Sequence, residues 1–460
     1  MASWIDEEIA GSKFKDKRLT SRFHSILETL STGDGKTIPQ LCEDWASTKA
    51  LYRFLSNEKV DESEILEGHF QQTFKRIKAT KGPVLVLHDT CEFSYKRDNP
   101  AAIGYTRTGQ VLSTIKSSKK QEYKVRGVLM HASLAVTSEG LPLGLTSARY
   151  WSRKVFKNTT QMKRHINPTR VPIEEKESIK WLQNIKASND QISDEPSKVI
   201  HIGDREADIY ELYSECDSAN SYFLIRSCVN RLADESTVVE VLSECKKSYV
   251  HRIEFTDGNG VRNEAVLQIK SKTVDLHPPH GKSNQYQDLR VHLLSANEVN
   301  VPAGREAIRW NFVTNLPITD RSQAIQAIEW YKQRWKIELY FKIIKSGFRA
   351  EESKLRTAER ITRLISIFCI LAWRVHWITY LQREEEEFSP NVAFDKTELK
   401  IISSYFRKEK YRTLRDVVLD LAKLGGHLGR QADPPPGNTV IWRGLSRLQD
   451  LRKGYELNCG

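Results

Sequence analysis

The sequence predicts a multidomain α/β chain with helical ends, and three observations carry that prediction. Two apolar, β-branched runs, residues 83–88 (PVLVLH) and 199–202 (VIHI), read as strands buried on both faces, the second followed by a helix from about Asp208. Residues 241–310 are strand-like without strong helices, whereas residues 1–75 and the chain beyond Ser322 carry the 3.6-residue period of helices. Strands followed by helices imply an α/β layer.

In chain order, Leu19, Phe23, Ile26, Leu27 and Leu30 recur at helical spacing, beside the basic residues Lys13, Lys15, Lys17, Arg18 and Arg22. Gly33-Asp34-Gly35 breaks the pattern, and residues 37–55 resume it as short helices. Such a unit suits docking a helix on DNA and equally suits capping the next domain. Residues 128–136 and 141–146 flank Thr137-Ser138-Glu139-Gly140 as a hairpin. Strands at 249–255, 265–269 and 289–294, a tight turn at Asp257-Gly258-Asn259-Gly260 and a loop at 278–287 make a β insertion. Helix runs from about Ser322 to about Glu387 with a break near Gly347, and the acidic run 384–387 reads as a linker edge. A last helical region holds residues 414–424, stopped by Gly425-Gly426, then a Pro434-Pro435-Pro436-Gly437 loop, then residues 442–451.

Composition narrows the class. The 460 residues suffice for several domains, and 39% hydrophobic with 28% charged residues is an ordinary globular balance. The longest apolar run, residues 364–373 (LISIFCILAW), is shorter than the roughly 18 residues of a membrane span, so a buried helix and no membrane partner are expected. The start, MASWIDEEIAG, lacks a basic stretch followed by an apolar one, so no secretory signal is expected. Seven scattered cysteines without a CxxC argue against a zinc site or a disulfide framework and for the cytoplasm. A net charge of +12 favours polyanions, nucleic acid first.

Three acidic residues stand where chemistry needs them. Asp89 ends the run PVLVLH, at the site-bearing edge of an α/β sheet; alternatively it opens a turn with Thr90. Asp204 follows VIHIG in the same way, or caps the next helix, with Glu206 and Asp208 as first-turn acids. If the two strands are parallel neighbours their carboxylates meet, and such a pair of anions calls for a hard cation. In residues 330–348 (WYKQRWKIELYFKIIKSGF), plotted as one helix, Trp330, Ile337, Phe341, Ile344 and Phe348 form a core stripe. Tyr331, Arg334, Glu338, Lys342 and Lys345 form the adjoining polar arc. That arc holds one carboxylate among cations, as a site for a metal beside phosphate would; an exposed helix with Arg334–Glu338 and Glu338–Lys342 pairs reads the same pattern.

The spacing Tyr331-x2-Arg334-x3-Glu338-x6-Lys345, together with HDTCEFSY (88–95) and GDREADIY (203–210), resembles the three motif blocks of bacterial insertion-sequence transposases of the Tyr-Arg-Glu-Lys branch, insertion-sequence family four. LYRFL (51–55), RWNFVTNLPI (309–318) and KLGGHLG (423–429) extend the resemblance along nearly the whole chain. The resemblance implies an RNase H-like catalytic core at 76–385, interrupted by the β insertion at 241–310. It also implies a helical domain at 1–75 that binds transposon ends, and a helical region at 386–460 that pairs two protomers. It implies that Asp89, Asp204 and Glu338 hold two Mg²⁺ (or Mn²⁺) ions that activate the attacking group and stabilise the leaving oxygen. Tyr331, Arg334 and Lys345 would contact DNA phosphates, Arg226 in YFLIRS would be a basic residue near the site, and Trp310 would stack on a base flipped from a terminal hairpin. Transposon-end and target DNA would be the partners, and a homodimer the DNA-bound form. Cys91 departs from the pattern, standing where the resemblance calls for a hydroxyl residue. A nuclease that cleaves without joining, and a DNA-binding inhibitor, are the competing readings; all three carboxylates and the N-terminal segment are present.

Overall fold

The computed structural model of the protein describes residues 4–31, 33, 36–96, 102–112, 120–153, 171–256, 262–384, 387–430 and 433–459. Five helices come first: α1 (Trp4–Ile9), α2 (Lys17–Ser31), α3 (Ile38–Cys42), α4 (Trp45–Leu55) and α5 (Glu62–Ala79). The stripe expected on α2 packs inward, with Phe23, Ile26, Leu27 and Leu30 buried, while Lys13, Lys15, Lys17, Arg18 and Arg22 stay exposed. Asp44 caps α4 by accepting the Ser47 N–H, and an Asp61–Glu64 capping box starts α5. α5 runs past residue 75 because nothing in ESEILEGHFQQTFKRIKA breaks its period.

A buried cluster ties these helices to the sheet. His69 Nδ1 meets Glu8 Oε2 at 2.6 Å, Arg76 Nη1 donates to Glu8 Oε1 at 2.5 Å, and Arg76 Nε donates to the Leu143 carbonyl at 2.6 Å. The Leu145 N–H donates to His69 Nε2 at 3.0 Å, so His69 is the neutral tautomer with its proton on Nδ1. Burial holds the His69 pKa below its ordinary value, against the pull of Glu8. Burial alone would raise the Glu8 carboxyl, but the contacts with His69 and Arg76 outweigh it and hold it low. Both groups therefore bind protons less readily folded than unfolded. Their contribution to stability is complete above about pH 6.5 and declines as pH falls, first through His69 and then, below about pH 4.5, through Glu8. Glu8→Gln is expected to lower stability at pH 7 by about 2 kcal/mol and to flatten the acid limb of a melting-temperature-against-pH curve. Superimposable curves for the two proteins would show that the cluster contributes nothing.

The centre of the molecule is one mixed sheet. Its strands are β1 (Val84–Ser94), β2 (Tyr105–Leu112), β3 (Lys120–Thr137), β4 (Pro142–Trp151), β5 (Val199–Gly203), β6 (Tyr222–Arg226), β7 (Leu232–Ala233), β8 (Ser236–Thr237), β9 (Ser248–Thr256), β10 (Arg262–Leu276), β11 (Leu289–Val299) and β12 (Arg309–Thr314). They run in the order β2-β3-β1-β5-β6-β12-β11-β10-β7-β8, with β4 on β3 and β9 on β10. β1, β5 and β6 are parallel and central, as their unbroken apolar runs require. Among the described residues the remaining α-helices are α6 (Ile179–Gln191), α7 (Tyr210–Ser218), α8 (Val238–Glu244), α9 (Arg321–Lys332), α10 (Trp335–Lys342), α11 (Ala358–Leu381), α12 (Lys396–Tyr405), α13 (Leu414–Leu424) and α14 (Asn438–Cys459). Side chains alternate across the sheet: Leu224 and Phe312 join the core that includes α10 and α11, while Phe223, Ile225 and Val313 pack with Trp181 of α6 and Tyr213 of α7. Helices thus cover both faces. α11 is long and apolar enough to cross a membrane by composition alone, but most of it is buried as the core helix of this fold.

Several expectations change. Residues 241–310 are strand-rich as read, and their strands join the central sheet through β12, which pairs with β6 and β11. The segment 330–348 is not one helix. Gln333, Arg334, Lys336 and Ile337 donate to carbonyls three residues back, which tightens the chain between α9 and α10, and residues Ile343–Gly347 form a π-turn. β2, β6, β7, β8, α6 and α8 were not anticipated, while α12 falls in the region 386–460 expected to be helical. The tight turn expected at 257–260 lies outside the described residues, as does part of the acidic run 384–387.

Candidate active site

β1 does not stop at His88. It runs on to Ser94 because the long antiparallel β3 keeps pairing with it, Asp89 opposite Ala132. On the other side β5 ends at Gly203, and the recorded register Leu87↔Ile202, continued by two places, sets Asp89 beside Asp204. The two carboxylates thus stand where the parallel pairing ends. Gly203 makes the turn possible: a Cβ there would lie 2.5 Å from the Ala207 Cβ. Asp204 then caps the short 3₁₀ turn Arg205–Ala207 through the Glu206 N–H at 2.9 Å, so its capping and site-edge readings coexist.

Glu338 reaches the same place from α10. Arg334 Nη1 donates to Asp89 Oδ2 at 2.9 Å and Arg334 Nη2 to Glu338 Oε1 at 2.7 Å, so one guanidinium bridges the strand carboxylate and the helix carboxylate. The i,i+4 Arg334–Glu338 pair of the exposed-helix reading is therefore present, but it is half-buried and shared with a residue 245 positions away. Burial raises the Asp89 pKa to about 6; Arg334 opposes the rise, while Asp204 and Glu338 add to it. The Arg334 pKa is raised, its burial outweighed by Tyr331, Asp89 and Glu338. Among the described residues no three acidic, histidine or cysteine side chains already stand in a metal-holding cluster. The fit to a metal rests on three oxygen-only donors whose charges act on one another and on a cation already held between two of them. That donor set suits Mg²⁺ or Mn²⁺ and not a soft metal.

The flanking residues are placed as follows. Tyr331 is buried, 5% exposed, rather than on an open polar arc, because the tight turn after α9 leaves its ring under β12. Trp310 packs edge-on against it with centroids 5.4 Å apart, and Phe312 at 4.6 Å. Trp310 is half-buried, and Arg226, at the end of β6, donates to the Arg309 carbonyl at 3.1 Å and hydrogen-bonds Tyr331. Lys345 sits in the π-turn, its ammonium 5.6 Å from the Phe93 ring centroid on β1. Tyr331, Arg226 and Trp310 form one cluster, Arg334 and Glu338 another with Asp89, and Lys345 lies beside β1. Burial pushes the Cys91 thiol up to about 12, so it stays neutral.

Two features were missed. Beneath Asp89, on the opposite face of β1, a chain of buried polar groups crosses the sheet. Asn189 Nδ2 donates to Ser221 Oγ, so its Oδ1 accepts from His201 Nε2 at 2.9 Å. Burial drives the His201 pKa to about 3 and that of His88 well below its usual value, so both rings are neutral. His201 Nδ1 therefore accepts from His88 Nε2 at 2.9 Å, and His88 Nδ1 accepts from Ser133 Oγ at 2.8 Å. One directed chain thus ties β3, β1 and β5 just under the carboxylates. The signal was available, since His88 and His201 fall on one face of adjacent strands, but each looked like a lone polar residue in an apolar run. Asp208 is the second: it accepts from the Cys228 and Val229 N–H groups, both at 2.7 Å, from Tyr213 at 2.7 Å and from Arg231 at 2.6 Å. It is a buried anchor for the loop after β6, not a first-turn acid.

Residues 1–60 match the family model described as transposase DNA-binding, and residues 178–373 match the model described as transposase DDE domain. The second match contains Asp204, Glu338 and the Tyr331–Lys345 segment; Asp89 lies ahead of it and is joined to it by the Arg334 bridge.

Proposed function

We propose, from the premise that this chain is a DDE transposase with a DNA-binding segment at its N-terminus, that it moves an insertion sequence by cut-and-paste. It nicks the transposon end, forms and reopens a terminal hairpin, and joins the freed end to target DNA. Asp89, Asp204 and Glu338 are its catalytic carboxylates, on a core of RNase H-like type, and the chain is a member of the Tyr-Arg-Glu-Lys branch. The observation that carries this reading is the Arg334 bridge, which links Glu338 on a helix to Asp89 on the strand whose parallel neighbour ends just before Asp204.

Domains of this kind work with divalent metal ions. The three carboxylates would hold two Mg²⁺ ions, which when bound polarise the phosphate and lower the proton affinity of the attacking hydroxyl. The rest falls to the protein. Arg334 neutralises the carboxylates until DNA arrives and then is free to grip a phosphate oxygen. Lys345 and Arg226 flank the path with positive charge, and Tyr331 offers its hydroxyl as a phosphate donor. Trp310, packed edge-to-face with Tyr331, presents its remaining surface to a flipped base, where stacking contributes about 1–3 kcal/mol. Residues 1–75 bind the terminal inverted repeats, and residues 386–460 pair two protomers on DNA.

The test is a reaction of the purified chain with duplex DNA carrying the element's own ends, with Mg²⁺ or with chelator. Nicks, hairpins and joined target strands, all lost in chelator, are expected. Cleaved ends that never join a target would instead make the chain a nuclease.

A further inference from the structure

A cation-lined cavity begins one helical turn beyond Glu338, at Lys342. This cavity, of about 500 Å³, opens between the π-turn, the C-terminal end of α11 and the first turn of α14. Four cations line it, Lys342, Arg349, Arg383 and Arg443, and no carboxylate does. Arg349 is held by Glu352 at 2.7 Å, and Arg383 donates to the Pro436 carbonyl at 3.1 Å. Lys342 and Arg443 are exposed, and among the described residues neither is in an ion pair.

Two further observations point to a ligand. Trp442 is 3% exposed, its ring packed 4.0 Å from the Phe348 centroid, yet its buried Nε1–H meets no acceptor. It lies against the lining residue Gly347, where a Cβ would stand 4.0 Å from Nε1. An unmet buried N–H of this kind is unfavourable, and an acceptor oxygen in the cavity would relieve it. The 22-residue helix α14 also begins at the cavity, and its first hydrogen bond runs from the Ile441 N–H to the Gly437 carbonyl at 3.2 Å. Gly437 has no side-chain oxygen to offer the remaining first-turn N–H groups, and Gly437, Asn438 and Thr439 line the cavity, so the positive end of the helix borders it. A helix N-terminus, an unmet indole donor and four cations suit a tetrahedral oxyanion.

We propose that this cavity is a phosphate subsite for a DNA strand running on from the carboxylates. Lys342 stands about 6 Å along the helix axis from Glu338, so a strand reacting at Glu338 passes Lys342 before reaching Arg443 and α14. This rests on the functional reading above and adds to it a contact made by the C-terminal helix. The strand source is favoured over free phosphate because Lys342, which lines the cavity, follows Glu338 by one turn of the same helix.

The test is DNA binding across a salt series for the full chain and for Arg443→Gln, Arg443→Lys and Trp442→Phe. Arg443→Gln is expected to weaken binding about tenfold at low salt and to reduce the salt slope by about one, with Arg443→Lys restoring the slope. Trp442→Phe should weaken binding with the slope unchanged, since it removes a neutral donor. An Arg443→Gln protein with wild-type affinity and slope, or an Arg443→Lys protein as impaired as Arg443→Gln, overturns the proposal. So does inorganic phosphate that raises the melting temperature of the wild type but not of Trp442→Phe while the DNA slope ignores Arg443, since the pocket would then take free phosphate. A chain that shows the expected slopes but never cleaves DNA defeats the functional reading and leaves the subsite standing.

Discussion

Glu338→Gln is expected to slow strand cleavage by roughly three orders of magnitude or more while leaving DNA binding within a few-fold of wild type. Glutamine keeps the shape of the side chain and one acceptor oxygen for Arg334 Nη2, now 2.7 Å from the Glu338 carboxylate. Only the negative charge is lost, so a folding defect cannot stand in for a catalytic one. The charge is what a divalent ion requires of the helix, because Asp89 on β1 and Asp204 just past the end of β5 supply only one side of the site. The check is a single-turnover cleavage assay in Mg²⁺ with a parallel binding titration. Cleavage within tenfold of wild type would remove Glu338 from the reacting centre.

Arg334→Gln is the second large effect, and it appears first in stability. Arg334 holds Asp89 and Glu338 together, and each of the three side chains is at least two-thirds buried. Removing one partner of a fully buried pair costs about 3–5 kcal/mol; the remaining solvent access reduces this to about 2 kcal/mol. With the guanidinium gone, the carboxylates are left facing one another, and a divalent ion should replace it. Mg²⁺ is therefore expected to raise the melting temperature of Arg334→Gln more than that of the wild type. Equal melting temperatures without metal, or equal Mg²⁺ shifts, would contradict the bridge as a cation held in the metal position.

The parts legible in the sequence are those set by local pattern. Residues 83–88 and 199–202 announced central strands because burial on both faces leaves no polar alternation, and Glu338 stood out as the lone carboxylate on a basic arc. Arg334 was visible on that arc, but its hold on Asp89 was not, since no periodicity reports a contact across 245 positions. Tyr331 was misplaced because a wheel drawn at constant pitch ignores the tight turn at 333–334, which swings the ring under Trp310 and Phe312. Helix α8 was overlooked although it carries a capping box, Thr237 with Glu240. That signal outranks weak hydrophobic periodicity in short helices. The histidine chain escaped because its partners come from three strands and a helix.

Asp89 is the carboxylate that only geometry attaches to the matched transposase segment, so its contact with metal bears most directly on the whole account. The measurement is cleavage by Asp89→Cys in Mg²⁺ and in Mn²⁺, with DNA binding as the control for folding. A thiolate is a poor ligand for Mg²⁺ and a better one for Mn²⁺. The account predicts no cleavage in Mg²⁺ and recovered cleavage in Mn²⁺. Wild-type cleavage in Mg²⁺, or a loss that Mn²⁺ does not reverse in a protein that still binds DNA, would contradict it.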